Sequence, residues 1–282
     1  MKRIASIQDF SCLGSCSQTV ALPVLSAMGV ECVALPTALL SAHTAFDGFV
    51  SLDLTPQLPA VLAHWRAMRL RFDAVYTGYL VSAEQVELVC GLLDGMAERP
   101  PLCLIDPVMA DHGALYAGFP ESFPQAVCAL CSRADVLTPN VTEACLLTQT
   151  EYRPVQDEAQ VRRLLERLLE LDCRAAVLTG LRMESGEMAV ASLERDGTET
   201  LVRSSYIPEI FHGSGDLFAS ACVGALVQGA PLQRAVQLAS DYVALTLRRT
   251  VQAPDRRWYS VHFQETLPEL TARWQSLKEE LR

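Results

Sequence analysis

Short apolar runs alternate with longer helical patterns along most of this chain, and that alternation admits few architectures. It is the signature of repeated strand-helix-strand units, hence of an α/β fold with a mainly parallel sheet. The runs predict strands at 4–8, 31–36, 74–77, 102–105, 136–137 and 175–178. Helices are expected at 18–28, 57–69, 83–97, 124–131, just after Asn140, and at 157–171. Residues 187–194 and 198–204, joined by Asp196-Gly197, have hairpin character. Beyond Gly213 the pattern is helical, at 216–228, 232–248 and an amphipathic 267–281. No repeat, low-complexity tract or Pro/Gly/Ser linker divides the 282 residues, so one domain spanning 1–282 is expected, large enough for a single core.

Composition removes several function classes. Acids outnumber bases by 33 to 23, a net charge of -10, and Lys2 and Lys278 are the only lysines, so nucleic acid and anionic membranes are poor partners. Residues 10–30 lack charge, but Ser, Gly, Gln and Pro interrupt them well short of the ~18 apolar residues a spanning helix needs, and Asp9 falls too early for a secretory signal. The ten cysteines are irregularly spaced and several lie in apolar runs, which suits a reducing cytosol. Cys128 and Cys131 form a C-x-x-C with no second pair, so packing is expected rather than zinc.

In open α/β sheets ligands bind outside the carboxyl ends of the strands, and polar clusters stand at those places. They are Gln8-Asp9-Phe10-Ser11, Ser41-Ala42-His43-Thr44, Thr77-Gly78-Tyr79, the segment from Asp106 to Asp111, and Thr138-Pro139-Asn140-Val141-Thr142-Glu143. A further cluster, Gly213-Ser214-Gly215-Asp216, opens a helix. Its glycines permit a tight turn whose amides converge on an anion, with a carboxylate alongside. Asp216 could also be an ordinary first-turn acid, Asp111 a turn residue before His112-Gly113, Glu143 a helix-start acid, His43 a satisfied buried histidine, and Tyr79 a packing ring. No G-x-x-x-x-G-K-[ST] occurs, so amides and a metal would have to neutralise any nucleotide phosphates. Asp106, Asp111 and Glu143 could supply carboxylates to Mg²⁺.

Together these motifs resemble a known group. Asp106-Pro107-Val108-Met109-Ala110-Asp111 with Gly113-Ala114-Leu115-Tyr116 is similar to the D-P-V-M-G-D-x-G-x-L-Y segment of vitamin kinases in the ribokinase-like superfamily. The segment 138–143 resembles their T-P-N-x-x-E, and 213–218 their G-T-G-D-x-F. Thr77-Gly78-Tyr79-Leu80 and the early Ser6-Ile7-Gln8 point to the pyridoxal/pyridoxamine kinases, over about residues 2–250. The resemblance implies a ribokinase-like three-layer fold and transfer of the γ-phosphoryl group of ATP to the hydroxymethyl of a B6 vitamer. By it, Asp216 would be the base and Gly213, Ser214 and Gly215 would build the anion hole. Asp106 and Glu143 would organise Mg²⁺-ATP, with Asp111, Asn140 and Thr179 on the nucleotide. Asp9, Thr44 and Tyr79, with His43 adjacent, would line the vitamer pocket. A homodimer in the cytoplasm is implied too, and a monovalent cation is left open.

The chain departs from that pattern in three places. Asp9-Phe10 replaces a Ser-His pair, Ala110 a glycine, and Gly180 a lysine found in some relatives. Asp9 suggests contact with the ring nitrogen, phenol or amine of the vitamer. Hydroxymethylpyrimidine kinases share the motifs but open on a glycine-rich segment absent here. Sugar kinases carry a lid hairpin and a G-G-x-x-x-N segment that this chain lacks. A vitamer- or nucleotide-binding protein without turnover is the remaining alternative.

Overall fold

The computed structural model describes residues 1–96 and 100–282. Each expected strand is present: β1 (Arg3–Ser11), then helix α1 (Gln18–Ala27), β2 (Glu31–Leu40), the short β3 (Ser51–Asp53), α2 (Leu58–Ala67), β4 (Ala74–Thr77) and α3 (Ala83–Asp94). The helix expected at 83–97 ends at Asp94, and Ala97 lies outside the described residues. There follow β5 (Leu102–Ile105), the two-residue strands β6 (Ala110–Asp111) and β7 (Ala114–Leu115), α4 (Phe123–Cys131), β8 (Val136–Leu137), α5 (Val141–Thr148) and α6 (Glu158–Leu169). The chain closes with β9 (Ala175–Arg182), β10 (Met188–Glu194), β11 (Glu199–Ser204), α7 (Ser214–Leu226), α8 (Leu232–Gln252) and α9 (Leu267–Glu280).

Nine strands form one sheet in the order β11-β10-β9-β8-β5-β4-β1-β2-β3. The six central strands, β9 through β2, are parallel, while β3, β10 and β11 add antiparallel edges. Alternating strand residues serve opposite faces, as period-2 geometry requires. Ala5, Ile7, Val75, Cys103, Ile105 and Leu137 meet α2 to α6. Ile4, Ala74, Tyr76, Leu104, Val136 and Val177 meet α1, α7, α8 and α9. The result is three layers with the parallel strands buried on both sides.

Strand ends differ from expectation in three places, one of them β2, which runs on from the expected end at 36 to Leu40. β1 runs on through Ser11 because its pairing with β2 continues past a register shift between Gln8 and Phe10, so Asp9 is a bulge residue inside the strand rather than a residue beyond it. β9 likewise continues past Leu178, so Thr179 and Gly180 lie within it, opposite a second irregularity against β10. The β6-β7 hairpin and β3 were not anticipated.

Among the described residues no disulfide joins the cysteines; Cys131 is buried in the core beside α3. Among the described residues no helix is long and apolar enough to cross a membrane.

The charged helix α6 owes its start to Asp157, whose Oδ1 accepts the Gln160 N–H at 2.7 Å while Gln160 Oε1 accepts the Asp157 N–H at 3.0 Å. This reciprocal box satisfies two otherwise orphaned donors. Asp157→Ala is therefore expected to cost about 1 kcal/mol, a fall in Tm of about 2–4 °C in thermal unfolding.

Candidate active site

Sheet order reverses between β1 and β4, since the chain leaves β1 for β2 on one side and returns to β4 on the other. A crevice opens at the carboxyl ends of such a pair. The head of α7 faces it. Gly213, with φ of 84°, is the residue before α7, and a Cβ there would lie 1.6 Å from the Ser15 carbonyl oxygen. Glycine is thus required twice over, by backbone conformation and by close approach. The first intrahelical bond runs from Leu217 N–H to Gly213 C=O at 3.0 Å, leaving the N–H groups of 214–216 without helical partners.

Asp216 stands in this first turn. Burial pushes its carboxyl up to about 7, against a backbone N–H from Ser17 that favours the charged form, and Asp9 repels it. An acid near neutrality at a helix head is suited to take up a proton.

Asp106 follows β5 and Glu143 lies on α5; they are 6% and 3% exposed. Glu143 completes a capping box with Asn140: its Oε2 accepts the Asn140 N–H at 2.9 Å, and Asn140 Oδ1 accepts the Glu143 N–H at 3.0 Å. Its other oxygen accepts the Met109 N–H at 3.1 Å, and Asn140 Nδ2 donates to the Ala110 carbonyl at 2.8 Å. The pair therefore ties the 106–111 segment to the start of α5. Burial raises both acids, and the charges of Glu143 and Asp216 raise Asp106 further.

Thr138 Oγ1, buried and without a partner of good hydrogen-bond geometry, lies close enough to Asp106 to favour its charged form. Two buried acids beside an unpartnered hydroxyl fit a hydrated divalent cation, with Asp106 the freer ligand because both Glu143 oxygens are already engaged. Among the described residues no set of three or more His, Cys, Asp or Glu side chains converges as a metal cage. Asp111 is exposed, caps the His112 N–H at 2.8 Å and pairs loosely with His112. Thr179 donates its N–H and hydroxyl to the Pro139 carbonyl, at 2.9 and 3.3 Å, which anchors β9 to the 138–140 turn.

On the other side of Asp216 lies Asp9, 4% exposed, its Oδ2 accepting from Ser11 Oγ at 2.9 Å. Burial raises its carboxyl, with Ser17, Ser11 and His43 opposing. His43 has both ring nitrogens engaged by backbone. Nδ1 accepts the Ala45 N–H at 3.3 Å, so Nε2 carries the proton and donates to the Tyr259 carbonyl at 3.0 Å. Burial keeps the ring neutral. Thr44 is exposed beside it, and Tyr79 packs on Phe119 with centroids 5.5 Å apart.

Sequence reading did not single out Ser15, Ser17, Trp258 or Tyr259. The Ser and Gly residues that interrupt 10–30 are a partial signal for the first two; nothing local marks the others. A separate cavity of about 270 Å³ between α6 and the β10-β11 hairpin, lined in part by Glu158, Arg162 and Glu199, holds none of the strand-end acids.

Known proteins match this chain. A family profile described as phosphomethylpyrimidine kinase covers residues 22–258. A pyridoxine/pyridoxal/pyridoxamine kinase of Bordetella avium is 31% identical over 261 residues, 88% of this chain and 85% of that one. A Bacteroides thetaiotaomicron protein assigned as a phosphomethylpyrimidine kinase and crystallised with pyridoxal superposes with a TM-score of 0.91 at 32% identity, covering 95% of each chain. The pyridoxal kinase of Lactobacillus plantarum gives 0.87 at 31%, over 96% of this chain and 97% of that one.

The two motif glycines should respond differently to a methyl group. Gly213→Ala meets both the left-handed backbone, about 1–2 kcal/mol, and the Ser15 carbonyl. Gly215 has no positive φ and open space around its Cβ position. Thermal unfolding should show a clear loss of Tm for Gly213→Ala and little change for Gly215→Ala.

Proposed function

The chain belongs to the phosphomethylpyrimidine kinase family, and from that premise we propose that it is an ATP-dependent kinase that phosphorylates the hydroxymethyl group of a vitamin B6 vitamer. The observation that carries the reading is a carboxyl held near neutrality within the first turn of α7, beside helix-head amides freed by Gly213. Kinship with B6 kinases at 31% identity, and a structural match crystallised with pyridoxal, support the substrate class.

Phosphoryl transfer passes through a loose transition state, so alignment and charge stabilisation do most of the work. The acceptor hydroxyl attacks the γ-phosphorus, the bond to the bridging oxygen of ADP breaks, and Asp216 receives the hydroxyl proton. The N–H groups of Ser214 and Gly215 face charge developing on the transferring oxygens, a role worth on the order of 3 kcal/mol per donor in other enzymes. Asp106, backed by Glu143, would hold Mg²⁺, which neutralises phosphate charge that no lysine here can reach. Asp111, Asn140 and Thr179 border the nucleotide end. Asp9, His43, Thr44 and Tyr79 surround the acceptor end, His43 as a fixed neutral wall. The enzyme acts as a cytoplasmic homodimer on this reading, and a monovalent cation would find oxygen ligands near Thr138.

Phosphorylation of a hydroxymethylpyrimidine is the second reading, favoured by the description of the matching family profile. The two are separated by assaying ATP consumption with pyridoxal, pyridoxine, pyridoxamine and hydroxymethylpyrimidine. Turnover of the pyrimidine alone would replace the B6 reading.

Asp216→Asn is expected to lower kcat by about 10²–10⁴ without unfolding the protein. Wild-type kcat/KM should climb as pH rises through about 7, because only ionised Asp216 accepts a proton. Stability runs the opposite way. A folded-state value raised from 3.8 to about 7 means that the native state binds the extra proton in that window, so stability falls as pH rises through it. Asp216→Asn should therefore melt above wild type at pH 8, by a margin that shrinks as pH falls below about 7 and is gone only below the unfolded value of 3.8.

Asp9→Asn tests the acceptor side. The ratio of kcat/KM for pyridoxamine over pyridoxal should drop by about tenfold; an unchanged ratio removes Asp9 from vitamer recognition.

A further inference from the structure

Residues 253–262, between α8 and α9, carry no motif, yet they touch three loops that build the site. Arg256 Nη1 meets both carboxylate oxygens of Glu209, at 2.7 and 2.8 Å, on the segment leading into Gly213. The Tyr259 carbonyl accepts from His43 at 3.0 Å. Ser260 Oγ is hydrogen-bonded to Ser15 Oγ, on the residue whose carbonyl lies against Gly213. Between these ties, the Trp258 ring packs at 4.7 Å on Phe46 and stands edge-on to His43 at 6.2 Å and His212 at 6.0 Å.

An indole serving only as a brace would gain most by being covered, yet Trp258 is 60% exposed. It stands at the acceptor end: its ring neighbours are His43, which lies near Asp9, and His212, which precedes Gly213. A flat ring left open beside aromatic neighbours suits a planar heteroaromatic ligand, whose stacking would cover it.

We propose that residues 256–260 form a strap across the acceptor end of the site. Trp258 is the specificity-determining ring that contacts the heteroaromatic alcohol, and Arg256 and Glu209 are positioning residues for the loop entering Gly213. The inference rests on the kinase reading above and names a part of that site to which no motif points.

Steady-state kinetics test it on the full chain, using whichever alcohol the wild type phosphorylates. Trp258→Ala should raise the acceptor KM by about tenfold or more while the ATP KM stays within about twofold, and Trp258→Phe should restore most of the loss. Pyridoxal or pyridoxamine binding should quench tryptophan emission in wild type but not in Trp258→Phe. Arg256→Glu and Glu209→Arg should each lower kcat, and the double exchange should recover it, a coupling that independent sites would not give.

Parallel changes in both KM values for Trp258→Ala, or a loss of Tm alone, would mark the strap as a brace and overturn the proposal. So would quenching that persists in Trp258→Phe. If the wild type turns over no alcohol, the kinase reading fails by itself; the binding experiment then decides the strap, and a wild type that shows no vitamer-dependent quench overturns it.

Discussion

Four buried or half-buried carboxyls, Asp9, Asp106, Glu143 and Asp216, gather at one end of the sheet, and the strongest influences on them are burial, hydrogen bonds and one another. A fold seldom keeps acids this way, because each charged carboxylate out of water costs several kcal/mol unless it is paired. Here the offsets are partial. Backbone N–H groups hold Glu143, hydroxyls hold Asp9, and a helix head holds Asp216. What remains unbalanced is a demand for positive charge at the phosphate end and for a proton at Asp216, and a phosphoryl transfer with a cation-bound nucleotide meets both. Stability and chemistry are coupled through the same groups.

The sheet that collects these acids was legible in the chain because its strands are buried on both faces. Runs such as Ala74-Val75-Tyr76-Thr77 read as continuous apolar segments, with helical periods between them. β3 escaped notice because all three of its residues are exposed and carry no burial pattern to detect. The β6-β7 hairpin is only two residues per strand, closed by His112 and Gly113 at φ of 51° and 83°; its turn signal was visible, but the pairing depends on the neighbouring Asn140 and Glu143 contacts. The bulge that puts Asp9 inside β1 is a property of register, which the sequence of one strand does not contain.

The site divides along the same line. Asp106, Asn140, Glu143 and the 213–216 loop announce themselves because each chemistry needs fixed spacing within a few residues: a capping box joins residues three apart, and an anion-binding turn needs its glycines close together. Trp258, Tyr259, Ser260 and Arg256 leave no such trace. Their partners in the site loops lie 46 (258 minus 212) to 245 residues away in the chain, and contacts at that separation are set by tertiary packing alone.

That division bears on how one scaffold can serve more than one alcohol. The proposed phosphate end is built on strand termini and helix heads, where backbone geometry is over-determined: a side chain at Gly213 would collide with the Ser15 carbonyl, and Glu143 ties the 106–111 segment to α5. The acceptor end is built from loops after β2 and α8 and from a bulge in β1, where a change of side chain leaves the sheet intact. A pyridine and a pyrimidine present the same hydroxymethyl group on flat rings of similar size, so the conserved chemistry can stay fixed while discrimination falls to ring walls and to a single polar group. On the proposed reading those are Trp258 and Phe46 on one side, Tyr79 on another, and the carboxyl of Asp9. A carboxyl rewards a ligand that brings a donor or a positive charge and penalises one that brings only acceptors, because its desolvation is then uncompensated. On the proposed reading ring shape admits either heterocycle, and Asp9 separates them by what each can donate.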